Sequence, residues 1–179
     1  MYDCIVIGGG VVGTAVLDAL STRGYKTLLI EKEDDVASGA SRANSGIVHA
    51  GYDCVPGTLK AKFNVEGNKM MPSLTRDLDV PSRKTGSLVL AGRGGKKGLL
   101  ELLERAKANG VDARIIDREE IDKIQDGVNP EIVSALYAKD AGIVSPYKLT
   151  IALCDRAILN GAEVRLEENI ESIRFDGKF

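Results

Sequence analysis

With 179 residues, the chain has material for one large domain, or one and a part, and for a substantial core. Its 24 Lys and Arg against 26 Asp and Glu give a net charge of -2, and the basic residues are scattered, which excludes the electrostatic footprint of a nucleic-acid binder. Cys4, Cys54 and Cys154 are far apart and form no C-x-x-C, which excludes a disulfide framework and a zinc site; the longest apolar stretch, residues 5–20, is broken by glycines and Asp18 and excludes a membrane span.

Residues 2–7, YDCIVI, form the short apolar run of a buried parallel strand. A glycine turn follows, in which Gly8, Gly10 and Gly13 fit G-x-G-x-x-G: Gly8 for the tight turn, Gly10 for close approach of backbone to a pyrophosphate, Gly13 for helix against sheet. Val12, Ala15, Val16, Ala19 and Leu20 recur at helical spacing and predict the buried stripe of a helix that Gly24 ends. Residues 26–30 give a second strand, with Glu31 at its carboxyl end, about 20 residues beyond the glycines.

Each part has a chemical use. The first-turn amides, Val11 and Val12 included, and the positive end of the helix dipole suit a pyrophosphate. The Glu31 carboxylate suits ribose hydroxyls and repels a 2′-phosphate. The pattern points to an unphosphorylated adenine dinucleotide, FAD or NAD. A lone G-x-G-x-x-G is also what an ordinary glycine-rich turn shows; strand, helix and acid in register favour the dinucleotide.

Residues 32–57 are long, polar and rich in glycine and serine, the composition of a loop that lets backbone approach a ligand. Thr58 can cap a helix whose apolar members include Leu59, Phe63 and Met70, and Pro72 predicts a kink or a fresh helix. Residues 82–84 and 87–91 read as strands joined around Gly86. Residues 92–95 read as a surface turn rather than a phosphate loop, because no Gly-Lys-Ser/Thr ending follows.

Leu99, Leu102, Leu103 and Ala106 predict a helix closed by Gly110, and residues 113–116 a strand. Asp117 and Glu120 make a capping pair, and residues 134–138 another strand. Ser145 and Pro146 open a helix with Leu149, Ala152, Leu153 and Ala157 buried and Gly161 at its end. Residues 163–166 and 170–175 are predicted strands, with Val164 and Leu166 returning beside the second strand through a crossover.

The run Ser38-Gly39-Ala40-Ser41, then Asn44-Ser45-Gly46-Ile47-Val48-His49-Ala50-Gly51-Tyr52 and Pro56-Gly57-Thr58-Leu59-Lys60-Ala61, following Glu31-Lys32, resembles the FAD-dependent glycerol-3-phosphate dehydrogenase and L-2-hydroxyglutarate dehydrogenase group of the D-amino-acid-oxidase-like flavoprotein superfamily, above all its anaerobic-type glycerol-3-phosphate dehydrogenases. The likeness continues in residues 86–89 and 142–149.

The resemblance implies an α/β fold: a Rossmann-like FAD-binding domain, its parallel sheet covered by helices, plus part of an inserted α+β substrate domain. The expected division is 1–79 for the first part of the FAD-binding domain, 80–141 for the substrate domain and 142–179 for the return. It implies FAD as cofactor, with Lys32 next to Glu31, the stretch Ser41, Arg42, Asn44, Ser45, Gly46 and Ile47 around the ribityl and pyrophosphate, His49 near the flavin, and backbone near Ile170 at the adenine. His49 is also the one candidate catalytic residue, since imidazole exchanges protons near neutral pH; covalent flavin attachment and a plain structural role are its alternatives. For Arg42 the alternative is an exposed loop arginine. No metal site is expected.

The implied reaction is oxidation of a secondary alcohol, sn-glycerol 3-phosphate to dihydroxyacetone phosphate, with hydride passing to the flavin and electrons to a further acceptor. Competing readings are an L-2-hydroxyglutarate dehydrogenase or oxidase, an NAD-dependent dehydrogenase, and a dinucleotide-binding module without turnover. Expected partners are a small polyol phosphate or 2-hydroxy acid and a downstream electron acceptor, with no nucleic acid; peripheral membrane or subunit association belongs to the full-length protein. The expected compartment is the cytoplasm or the inner face of the membrane, since a strand starting at residue 2 leaves no room for a leader. The sparse second domain predicts that the chain is part of a longer protein that holds most catalytic residues.

Overall fold

The computed structural model describes residues 1–175 and Gly177; positions 176, 178 and 179 of the expected 142–179 segment lie outside the described residues. In chain order the elements are β1 (Cys4–Ile7), α1 (Val11–Ser21), β2 (Thr27–Ile30), β3 (Ile47–Val48), α2 (Leu59–Asp77), β4 (Ser82–Lys84), β5 (Ser87–Gly92), α3 (Lys96–Ala108), β6 (Ala113–Asp117), α4 (Arg118–Ile124), β7 (Ile132–Ala138), β8 (Gly142–Val144), α5 (Pro146–Leu159) and β9 (Glu163–Arg165). They divide into two compact units, Met1–Gly46 with Thr75–Pro81 and Ser145–Phe179, and Ile47–Leu74 with Ser82–Val144.

The first unit carries a parallel sheet in the order β1-β2-β9, with Leu29 of β2 opposite Val6 on one side and Val164 on the other. All four residues of β2 are buried, as a central parallel strand requires. Leu17, Leu29, Ala157 and Ala162 form the core, with Val6 and Val164 against it. The return of the chain beside the second strand is as the sequence predicts.

Three expectations in this unit change. The stripe of Val12, Ala15, Val16, Ala19 and Leu20 is not the buried face of α1: Val12 is 74% exposed and Val16 44%, whereas Thr14, Leu17, Asp18 and Ser21 are buried. Asp18 can lie inside because Arg156 of α5 grips it bidentately, Nε to Oδ1 and Nη2 to Oδ2 at 2.7 Å each. β1 is likewise not buried throughout, since it ends the sheet among the described strands and leaves Ile5 and Ile7 more than half exposed. Residues 170–175 form no strand. The chain turns at Glu167, with φ of 57°, and the amides of Glu167 and Glu168 go to the carbonyls of Glu33 and Glu31.

The second unit is antiparallel, with sheets β3-β8-β4 and β5-β7-β6. Ala91, Leu99 and Leu136 make one core cluster, and Ile116, Ile121 and Ala135 another. The caps follow the sequence: the Asp117 side chain accepts the Glu120 amide at 3.0 Å, and Thr58 Oγ1 accepts that of Ala61 at 3.2 Å.

Here too the structure corrects the sequence. β4 and β5 do not pair around Gly86; they pair with β8 and β7 respectively. At Gly86, φ is 69° and a Cβ would stand 2.5 Å from the Tyr137 ring. Helix α2 continues through Pro72 instead of restarting there. Leu59, Phe63 and Met70 are each at least 60% exposed, and the buried positions of α2 are Ala61, Asn68 and Thr75. In the observed division residues 47–74 go with 82–144 in the antiparallel unit, and residues 75–81 with the first. β3 pairs with β8 through Ile47 and Ile143, and Asn68 of α2 bridges carbonyls on either side.

Candidate functional site: a glycine turn with its carboxylate

In the first unit, the turn after β1 is shaped by contacts only glycine permits. Gly8 adopts φ of 102°, and a Cβ on Gly13 would stand 2.0 Å from the Gly8 carbonyl oxygen. Gly9 is held from both ends: its N–H donates to Glu31 Oε2, and its carbonyl accepts the Ala37 amide at 2.9 Å. Helix α1 starts at Gly10 with no side-chain cap, and Ser41 Oγ accepts the Val11 amide at 2.9 Å. The amides of Val12 and Gly13 have no intrahelical acceptor, so the helix start offers donors and a positive dipole end outward.

Glu31 reaches this turn from the end of β2. Its Oε1 accepts the Glu33 amide at 3.0 Å and its Oε2 the Gly9 amide. A carboxylate has room for about four hydrogen bonds, so this one keeps acceptor capacity for a hydroxyl donor. Partial desolvation raises the proton affinity of this carboxyl, and the amides of Glu33, Gly9 and Lys32 outweigh it, holding the pKa below the ordinary 4.5. The group is an anion at neutral pH.

The other predicted residues are placed as follows. Lys32 makes an exposed pair with Glu33 at 3.2 Å and adds to the field that keeps Glu31 ionised. Arg42 lies over the Tyr147 ring, 5.7 Å from its centroid. Asn44 shapes its own loop: Nδ2 donates to the carbonyls of Ala40 and Ser41, and Oδ1 accepts the Gly46 amide at 2.9 Å. Ser45 is exposed. Ile170 stands two residues past Glu168, whose amide donates to the Glu31 carbonyl at 3.0 Å.

In the second unit, Ile47 lies in β3 and the His49 side chain is exposed. Reading the sequence missed Gly9 as a donor, Tyr147 as the platform for Arg42, and Asn68 and Asn109, whose carboxamides hold the segment after His49. A cavity of about 200 Å³ beside Val48, Asn68, Arg83 and Lys84 also lies in this unit. Its Lys84 is paired with Asp140 at 2.9 Å.

The profile of the FAD dependent oxidoreductase family matches residues 3–179. The chain belongs to the FAD dependent oxidoreductase family. It is 42% identical over 175 residues to a glycerol 3-phosphate dehydrogenase of Caloramator mitchellensis, covering 97% of this chain and 36% of that protein. It is 37% identical over 147 residues to a mitochondrial L-2-hydroxyglutarate dehydrogenase of Caenorhabditis elegans, covering 80% of this chain and 34% of that one. Among solved structures, the dithionite-reduced L-alpha-glycerophosphate oxidase of Mycoplasma pneumoniae with FAD bound superposes with a TM-score of 0.84 at 31% identity, over 93% of this chain and 44% of that one. The chain thus spans roughly a third to a half of the length of these relatives.

The cofactor of this family member is FAD, which decides between the two dinucleotides that the fingerprint allows. The residues present fit it. Any side chain at Gly13 would collide with the turn, a Cβ at Gly10 would crowd Ser41 Oγ at 3.2 Å, and the turn carries donors for phosphate beside an ionised acceptor for hydroxyls. Among the described residues no cluster of His, Cys, Asp and Glu could hold a metal, and no helix is long and apolar enough to cross a membrane.

Proposed function

We propose that this chain supplies the adenylate-binding part of an FAD-dependent dehydrogenase acting on sn-glycerol 3-phosphate. The observation that carries the reading is the Glu31 carboxylate held against the glycine turn by the Gly9 amide, with the Val12 and Gly13 amides beside it. Glu31 would accept the adenosine ribose hydroxyls, and the α1 start, with Ser41, would hold the pyrophosphate. Arg42, fixed over Tyr147, would add positive charge to the phosphate side. His49 would lie on the flavin side, its imidazole able to take up the proton that leaves the substrate hydroxyl. FAD, when bound, supplies the two-electron acceptor that turns a secondary alcohol into a ketone.

The glycerol 3-phosphate assignment is supported by the 42% identity to the Caloramator enzyme. The 37% identity to the nematode L-2-hydroxyglutarate dehydrogenase supports the second substrate. Anaerobic mixing of the flavin-loaded full-length protein with each compound separates them by loss of the visible flavin band. We expect bleaching by sn-glycerol 3-phosphate at least about tenfold faster than by L-2-hydroxyglutarate. The reverse order would transfer the protein to the hydroxy-acid group, and no bleaching by either would leave a binding module.

A further inference from the structure

Two asparagine carboxamides take hold of the short segment that begins at His49. Asn68, buried in mid-α2, uses both hydrogens of Nδ2, one to the His49 carbonyl and one to the Asp140 carbonyl, at 3.0 Å each. Asn109, the residue that ends α3, does the same to the carbonyls of Gly51 and Cys54 at 2.9 Å each. Between them, Gly51 sits so close to α2 that a Cβ would stand 2.8 Å from Val65 Cγ2, with φ of 94°. The main chain is therefore pinned at His49, at Gly51 and at Cys54, while the His49 imidazole stays exposed. A backbone clamped this closely behind a side chain left free is how a protein presents a functional group in a fixed place.

We propose that Asn68 is a positioning residue for His49: its amide fixes the His49 carbonyl and so sets where the imidazole is presented. This rests on the reading of His49 as a flavin-side residue. Asn64, one helical turn earlier on α2, is the internal comparison. It faces the same segment, 3.3 Å from the Gly51 Cβ position, yet its Oδ1 has no donor among the described residues.

The chain has a single histidine, so histidine labelled with carbon-13 at ring Cε1 alone gives one imidazole resonance. At saturating FAD, with saturation followed by flavin fluorescence, the wild-type resonance should move. In Asn68→Leu at equal saturation the movement should fall about threefold or more, and in Asn64→Leu it should stay at the wild-type value. An equal movement in Asn68→Leu would overturn the positioning role and leave the His49 reading intact. A wild-type resonance that FAD does not move would overturn the His49 reading itself. Arg118→Met, which removes the clamp on the Val128, Asn129 and Ile132 carbonyls, controls for general loss of stability and should leave the movement unchanged. If Asn68→Leu does not fold, Asn68→Ser, which withdraws the same donors, is read by the same criteria.

Discussion

The two units use their polar atoms in opposite ways. In the parallel unit, the strand ends and helix start at Gly8, Gly13 and Glu31 leave amide donors and carboxylate lone pairs turned outward, held in place by a few contacts such as Gly9 with Ala37. In the antiparallel unit the comparable groups turn inward. Asn68, Asn109 and Arg118 each use their donors on backbone carbonyls, and Arg118 alone bonds three of them while pairing with Asp122. The glycine turn keeps hydrogen-bonding capacity for a ligand; Asn68, Asn109 and Arg118 commit theirs to holding loops.

Glycine replacements should expose that contrast most sharply. Gly13→Ala forces a Cβ to 2.0 Å from the Gly8 oxygen, so the turn or α1 must shift. FAD affinity should drop by about a hundredfold or more, as read by flavin fluorescence titration. Gly98→Ala, inside α3 with nothing within 4 Å of its Cβ, should instead stabilise by about 0.5–1 kcal/mol in chemical denaturation. A harmless Gly13→Ala would remove the contrast.

Core truncation should not distinguish the units. Leu17→Ala and Leu136→Ala each empty a fully buried site and should cost about 3 kcal/mol. Denaturant midpoints that fell for one and not for the other would show that one core is not formed as described. Asp18→Ala should cost slightly less, about 2–3 kcal/mol, because Arg156 then loses both of its hydrogen bonds in a site only partly open to water.

Much of the parallel unit was legible because its signals are local. The Gly8, Gly10 and Gly13 spacing and Glu31 directly after the second strand are read from adjacent residues, as are the caps at Thr58 and Asp117 in the antiparallel unit. The buried face of α1 was not. Its stripe of Val12 and Val16 is more apolar than the Thr14 and Asp18 face that packs inside, and the pairing that makes this tolerable joins residues 138 apart. Asn68 and Asn109 were invisible for the same reason, since their carbonyl partners lie 19 to 72 residues away. β3 and β8 have two and three residues, too few to show a period. Pro72 did not start a fresh helix: α2 is one element on both sides of it.

The smallest expected effect is on pH. With its folded pKa depressed below 4.5, Glu31 contributes stability that is fully present above the unfolded value and lost as pH falls through the folded one. Glu31→Gln should therefore flatten the acid limb of the melting-temperature profile and leave the neutral region near its own constant offset. An acid limb identical to wild type would mean that the Gly9 and Glu33 amides do not favour the ionised form.

The grip of the glycine turn and Glu31 on an adenosine ribose is tested most directly by calorimetric titration with AMP and with adenosine 2′,5′-bisphosphate. A carboxylate at the ribose should make the 2′-phosphate compound bind at least about tenfold more weakly than AMP, and Glu31→Gln should erase most of that difference. Equal binding of the two compounds by the wild-type protein would contradict the account.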